Sequence, residues 1–203
     1  NVDLTSQLTD DLSLSTKLGV DSFSQFTTNR QAVGSNNAQN GYYAERQIRF
    51  EEVNAQFLLN YNKNFSEDFT FSINFGGNHM NRNYDRISGS LPALELPNLY
   101  NLSNLQTGST ASVGNYHSGQ QINSLLAFGQ FSYKDMFFID FTGRNDWSSI
   151  LPTANNSFFY PSLAGSAVLT DVFPILKENN FNFLKLRGSW AEVGSTGALN
   201  EYS

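Results

Sequence analysis

A strict two-residue alternation of apolar and polar side chains dominates residues 125–147, on both sides of a tight turn at 133–135. One face of this stretch carries Leu125, Ala127, Gly129, Phe131, Tyr133, Phe137, Ile139 and Phe141. The other face carries Phe128, Gln130, Ser132, Asp140, Thr142 and Arg144. Because successive side chains of a strand point to opposite sides, the pattern predicts two long antiparallel strands. An apolar outer face and a polar inner face are what the wall of a transmembrane β-barrel requires.

The same alternation recurs along the chain. The predicted strands are residues 2–8, 12–21, 54–62, 69–75, 125–133, 137–147, 159–169 and 183–190. Short turns are expected at 9–11 and 64–67, long polar loops at 27–40 and 84–120, and one short helix within 171–182. The sequence therefore predicts an all-β fold, an antiparallel transmembrane β-barrel segment of about eight meandering strands, with periplasmic turns and longer extracellular loops.

Composition excludes several other classes. The 203 residues include no cysteine, which removes disulfide frameworks and thiolate metal sites. A mean hydropathy of -0.36 and the lack of a long apolar run exclude a transmembrane helix. The net charge of -6 without a basic cluster argues against a nucleic-acid partner. His79 and His117 lack a partner at metal-ligand spacing, and no catalytic or cofactor motif is present, so we expect no enzyme activity, metal or cofactor.

Aromatic residues are the candidate binding residues. Tyr84, Tyr100 and Tyr116 lie in the predicted outer loops, and Trp147 ends a predicted strand. These side chains could contact a substrate or a partner protein, and Trp147 could stack on a sugar ring. Packing within the loops, or anchoring at the membrane interface, is the alternative role of each. The charged residues predicted to face the lumen are Asp140, Arg144, Lys185 and Arg187.

Three ordered sequence blocks carry a family resemblance. They read FGQFSYKDMFFIDFTGRNDWSSILP, FFYPSLAGSAVLTD and FNFLKLRGSWAEVGSTG. The matching positions are Arg144, Asp146, Ser148, Ser149, Tyr160, Pro161, Ser162, Phe183, Leu184, Lys185, Leu186, Arg187 and Gly194. Over residues 127–197 the chain resembles the SusC/RagA family of TonB-linked outer-membrane transporters.

The resemblance implies a 22-stranded barrel in the bacterial outer membrane, with an N-terminal plug that TonB opens and a SusD-like surface lipoprotein as a lid. It also implies uptake of oligosaccharides or peptides without a covalent step. Residues 1–203 are then expected to be part of one TonB-dependent receptor barrel, in which the plug domain and the C-terminal strands are absent from this chain.

Two other functions fit the alternation taken alone. Eight strands could close into a self-contained outer-membrane barrel that serves as an anchor or adhesin. A secreted β-sandwich could bind carbohydrate through Trp147 and nearby tyrosines. The resemblance favours the transporter over both.

Overall fold

The computed structural model describes residues 1–178 and 181–193, and its eight strands form one antiparallel sheet. The strands are β1 Val2–Thr9, β2 Leu12–Ser35, β3 Ala38–Asn64, β4 Phe69–Leu91, β5 Ser112–Tyr133, β6 Phe137–Ser148, β7 Ser157–Val168 and β8 Lys185–Ala191. The short helices are a 3-10 turn at Thr153–Asn155, α1 Leu169–Val172 and α2 Ile175–Glu178. None of the described helices combines the length and apolar character needed to cross a membrane.

The sheet is an open meander. Its order is β1-β2-β3-β4-β5-β6-β7-β8, so each strand pairs with its neighbours in sequence, and no pairing within residues 1–178 and 181–193 joins β1 to β8. The all-β prediction is confirmed. The alternative of a self-contained eight-stranded barrel is wrong for these residues, because that barrel requires pairing of the two edge strands. A sandwich is also excluded, since it needs two packed sheets.

The polar face predicted for β5 to β8 is confirmed by register and side-chain contacts. Gln130 pairs with Asp140, and its Nε2 donates to the Asp140 carboxylate at 2.5 Å. Arg187 of β8 places a guanidinium nitrogen 3.8 Å from the same carboxylate. Arg144 donates to Asp146 Oδ1 at 2.7 Å and to Ser124 Oγ at 2.9 Å. These charged groups share one face and satisfy one another there.

The opposite face is apolar and uncovered. Its exposed side chains include Leu125, Phe131, Phe137, Ile139, Phe159, Leu163, Leu186 and Trp190. Gly129 is required on this face because a Cβ there would lie 2.4 Å from Ser72 O and 2.7 Å from Phe141 Cζ. The missing side chain therefore lets the Phe141 ring cover the backbone. A broad exposed apolar surface of this kind suits contact with lipid.

The two predicted polar loops are partly wrong. Residues 27–35 belong to β2 and residues 38–40 to β3, so that a turn at 36–37 replaces the loop predicted at 27–40. Residues 84–91 extend β4 and residues 112–120 extend β5, which leaves 92–111 as the connection. Polar side chains on both faces conceal these strands from the alternation pattern. Ladder hydrogen bonds form all the same, because they join backbone groups.

The remaining predicted elements are largely confirmed. The helix expected within 171–182 is α2, and α1 forms an additional single turn before it. Strand β8 begins at Lys185, two residues later than predicted. Gly194, which the family resemblance includes, lies outside the described residues, as do residues 179–180.

The chain divides into two units, and β2 to β5 contribute residues to both. The wall unit comprises Asn1–Gly19, Val53–Met80 and Gln121–Ser203, and the hairpin unit comprises Val20–Glu52 and Asn81–Gln120. In the wall unit β6 and β7 have 12 residues each, close to the nine to eleven residues, roughly, of a tilted membrane strand. The long connections expected at one end of the sheet are thus long hairpins rather than irregular loops.

The hairpin unit has its own small core. Tyr43, Leu91 and Leu94 are buried and pack with Tyr100, Leu105 and Ala111. Asn104 holds the 92–111 connection together: its amide donates to Leu96 O at 2.8 Å and Leu99 O at 2.7 Å, and its Oδ1 accepts from Leu96 N at 3.0 Å. One buried side chain therefore satisfies three backbone groups of a segment that lacks regular structure.

Substitutions at two adjacent positions of β4 test the face assignment. Ile73 follows the apolar series of Phe69 and Phe71, whereas Asn74 lines a groove with Gln130 and Asp140. In the full-length protein Ile73→Arg is expected to cost about 2–4 kcal/mol if it lies near the bilayer midplane. Asn74→Arg is expected to be tolerated, because the guanidinium stays hydrated beside Asp140. The folded, heat-modifiable band on a gel measures both, and equal losses would show that the faces are reversed.

Replacing Asn104 tests the 92–111 connection. Asn104→Ala is expected to destabilise this segment by about 1–3 kcal/mol, because backbone groups of Leu96 and Leu99 lose their partners. Hydrogen exchange of the amides in residues 92–111 should accelerate, while that of β6 and β7 should not change. Thr110→Ala, at an exposed position of the same connection, is the control. Unchanged exchange in Asn104→Ala would contradict the anchoring role.

Candidate functional site

Two of the predicted aromatic residues meet in the hairpin unit. Tyr84 of β4 and Tyr116 of β5 have ring centroids 6.0 Å apart in an edge-to-face arrangement. The Arg86 guanidinium carbon lies 5.3 Å from the centroid of the Tyr116 ring. Strand alternation explains the group, because Tyr84 and Arg86 are two residues apart on β4 and so share a face. Sequence reasoning selected both tyrosines but missed Arg86.

A second arginine and aromatic group lies on neighbouring strands of the same unit. Both the Nε and an Nη atom of Arg82 lie 2.7 Å from Glu52 Oε2. The Arg82 guanidinium carbon is 5.9 Å from the centroid of Phe50, which stacks on Phe23 at 5.1 Å. Strands β2, β3 and β4 each contribute to this group. Its arginine is neutralised by a carboxylate, in contrast to Arg86.

A polar groove of about 420 Å³ adjoins these residues. Its lining is Thr27, Thr28, Asn29, Tyr42, Ala44, Glu45, Arg46, Ser88, Gly89, Ser90, Ser112 and Gly114. Gly114 keeps the groove open toward Ser88, because a Cβ there would lie 2.9 Å from Ser88 Oγ. Small residues and hydroxyl groups thus line much of the groove, which can offer hydrogen bonds to an extended polar ligand.

Tyr100 occupies a different place. It packs 6.0 Å from Tyr43 in the small core of the hairpin unit, and the Arg30 guanidinium carbon lies 5.7 Å from its ring. The Tyr43 hydroxyl donates to Glu45 Oε1 at 2.6 Å. The pKa of Tyr43 is raised, chiefly by this hydrogen bond and to a smaller extent by burial. Tyr100 therefore takes part in loop packing, the alternative role that the sequence left open.

Trp147 belongs to the wall unit. It lines an apolar concavity of about 560 Å³ with Phe57, Gly77 and Leu125. His79 Nδ1 lies 2.7 Å from Asn123 Oδ1 at the same concavity. An amphipathic ring among apolar side chains at a strand end agrees with an interfacial anchor better than with a sugar platform.

Each of the two histidines has a local partner. His117 Nδ1 lies 2.6 Å from Asp85 Oδ1, on the hairpin unit. Over the described ranges no three His, Asp or Glu side chains are grouped so that they could hold a metal ion. The hydroxyl groups, guanidinium groups and rings of the hairpin unit suit noncovalent recognition.

The arginines were the signal that sequence reasoning missed. Five of the seven arginines fall in the hairpin unit, and all five lysines fall in the wall unit. Counting arginine and lysine separately would have pointed to residues 20–52 and 81–120. The assignment of Arg86 to Tyr116 still required the strand pairing.

Comparison with known proteins gives relatives by sequence and by structure. No family model matches the chain. A curated protein of Formosa agariphila, "TonB-dependent receptor P26", is 33% identical over 102 residues, which are 50% of this chain and 10% of the relative. The chain therefore spans only about a tenth of that protein's length.

Solved structures of a peptide transporter share the fold. The chain matches a structure of the RagAB peptide transporter with a TM-score of 0.83 and 21% identity, over 92% of this chain and 21% of that one. The RagAB importer in the "open-open" state matches with a TM-score of 0.83 and 22% identity, over 91% of this chain and 20% of that one.

These relatives are named as a receptor and a transporter, in agreement with the prediction that the chain is not an enzyme. Their resemblance agrees with the sequence blocks and with the two-faced sheet. The chain accordingly has the fold of an antiparallel β-barrel segment, and it is similar to a TonB-dependent receptor and to the RagAB transporter.

Proposed function

We propose that the chain forms part of the wall of a TonB-dependent importer that takes up oligosaccharides or peptides across the outer membrane. The observation that carries the proposal is the open sheet with one apolar and one polar face, whose edge strands β1 and β8 do not pair with each other in the described residues. Such a sheet needs further strands in a bilayer. A larger barrel supplies them and encloses a polar path.

The rest of the proposed machine lies outside this chain. A plug domain blocks the barrel, and TonB opens the path by acting on the plug. A SusD-like surface lipoprotein closes over the extracellular side, where we place the long hairpins. The wall segment contributes an apolar outer surface, the polar ladder of Gln130, Asp140 and Arg187, and the binding groups of the hairpin unit.

Uptake measurements test the proposed function. Deletion of the gene for the full-length protein is expected to abolish TonB-dependent uptake of labelled oligopeptides or oligosaccharides by whole cells, and the restored gene should recover it. Peptides are the first substrates to test, because the solved relatives are described as peptide importers. Undiminished uptake of both substrate classes after deletion would refute the importer function.

Labelling of single cysteines tests the orientation. Asn37 occupies the β2–β3 turn and Ser66 the β3–β4 turn, and both are exposed. On intact cells a cysteine at position 37 is expected to react with an impermeant maleimide, and a cysteine at position 66 only after the outer membrane is permeabilised. The opposite result would invert the proposed topology. Both positions should react in detergent, which controls for intrinsic reactivity.

A further inference from the structure

The hairpin unit carries an unusual set of cations. Its five arginines are Arg30, Arg46, Arg49, Arg82 and Arg86, and it contains no lysine. Three of them lie over aromatic rings, Arg30 over Tyr100, Arg82 over Phe50 and Arg86 over Tyr116. A guanidinium stacked on a ring keeps its N–H edge free for the two oxygens of a carboxylate, which an ammonium group does not match.

Arg86 differs from Arg82 in having no acidic partner. The Arg82 guanidinium forms an ion pair with Glu52. Arg86 and Arg46 form no ion pair in the described part of the chain. Asp85, which precedes Arg86, lies on the opposite face of β4 and is paired with His117. The donor edge of Arg86 is therefore held in place by Tyr116 and is available to a ligand.

Arg46 lines the groove, and strand alternation places Arg86 beside it. Ser88 lies two residues from Arg86 on β4, and Gly114 lies two residues from Tyr116 on β5, so both pairs share a face. Ser88, Gly114 and Arg46 line the groove. Glu45 also lines it, but its carboxylate accepts the hydrogen bond of Tyr43 at 2.6 Å. A hydrogen bond from a neutral hydroxyl leaves the Glu45 carboxylate charged, so Arg46, Arg86 and Glu45 together leave one positive charge in excess.

We propose that this groove binds an acidic oligopeptide, with a side-chain or terminal carboxylate on Arg86 and Arg46. The inference rests on the proposed import function and deepens it by naming the substrate class. Ser88 and Ser112 offer hydroxyl groups that can donate to or accept from peptide groups of an extended ligand. The net attraction comes from charge-assisted hydrogen bonds, which are stronger than neutral ones.

The aromatic geometry favours a peptide over a sugar. A sugar platform needs a free ring face, but Arg86 covers one face of Tyr116 and Tyr84 meets the same ring edge to face. Trp147, the other candidate for stacking, belongs to the wall unit. The Tyr116 ring therefore serves to orient a guanidinium group, whereas Tyr42 lines the groove directly. An oligosaccharide with carboxylates remains the competing ligand that the experiment must distinguish.

The test uses the purified full-length transporter and matched ligands. Two fluorescent peptides of equal length, one containing Glu and the other Gln at the same positions, are amidated at their C-termini and compared in binding. The Glu peptide should bind the unsubstituted protein at least about tenfold more tightly. This comparison needs no protein variant, so it stands even if a substituted protein fails to assemble.

Protein variants then locate the site. Arg86→Gln is expected to remove most of the preference for the Glu peptide and to leave binding of the Gln peptide little changed. Arg86→Lys should recover part of it, because the charge remains without the planar fork. Arg49→Gln, an exposed arginine that does not line the groove, is the matched control and should retain the preference.

Three results would overturn the inference. They are equal binding of the two peptides, an unchanged preference in Arg86→Gln, and an Arg86-dependent preference for a uronic-acid oligosaccharide over both peptides. In each case import measured on whole cells stays intact if the proposed function is right. Undiminished uptake of both substrate classes after deletion of the gene, by contrast, would refute the function itself.

Discussion

Backbone hydrogen bonding in hydrocarbon is the constraint on which this structure depends. A bilayer offers no water to unpaired N–H and C=O groups, so each strand must be paired along both edges and the sheet must finally close. Interior packing contributes little, and the largest fully buried side chains are Leu91 and Thr170. The ladder holds the wall together, and the edges of β1 and β8 make this segment dependent on further strands.

The side chains of the wall unit give the hydrogen-bonded sheet one apolar face and one polar face. On the apolar face Phe141 lies over Gly129 and Phe57 over Gly77, where a Cβ would come within 2.7 Å of each ring. The rings thereby shield backbone that glycine leaves open. On the polar face Asp140 joins β5, β6 and β8 through Gln130 and Arg187. Rings cover the backbone on one face and charged groups pair on the other, which is why the alternation of apolar and polar residues is so regular in the wall unit.

Strand boundaries can be predicted from the sequence where this two-residue alternation is regular. Strands β6 and β7 were found nearly to the residue, because one side of each strand faces lipid and the other does not. Residues 27–40 and 84–120 were assigned as loops because polar side chains on both faces remove the two-residue signal. At the candidate site the sequence selects Tyr84 and Tyr116 as aromatic residues, but Arg86 takes its place beside Tyr116 only when β4 pairs with β5.

The two kinds of cation are unevenly distributed: all five lysines lie in the wall unit, with two of the seven arginines. Lysines pair with aspartates in the wall unit, as in Lys17 with Asp3, Lys63 with Asp11 and Lys177 with Asp171. A flexible ammonium group is sufficient for such solvated pairs. Arginines concentrate in the hairpin unit, where planar guanidinium groups stack on rings. Ring stacking alone does not separate the two cations, because Lys134 lies over Tyr133 and Lys185 over Phe138 in the wall unit. What the arginines of the hairpin unit add is a planar edge of N–H donors, which matches the two oxygens of a carboxylate as an ammonium group cannot.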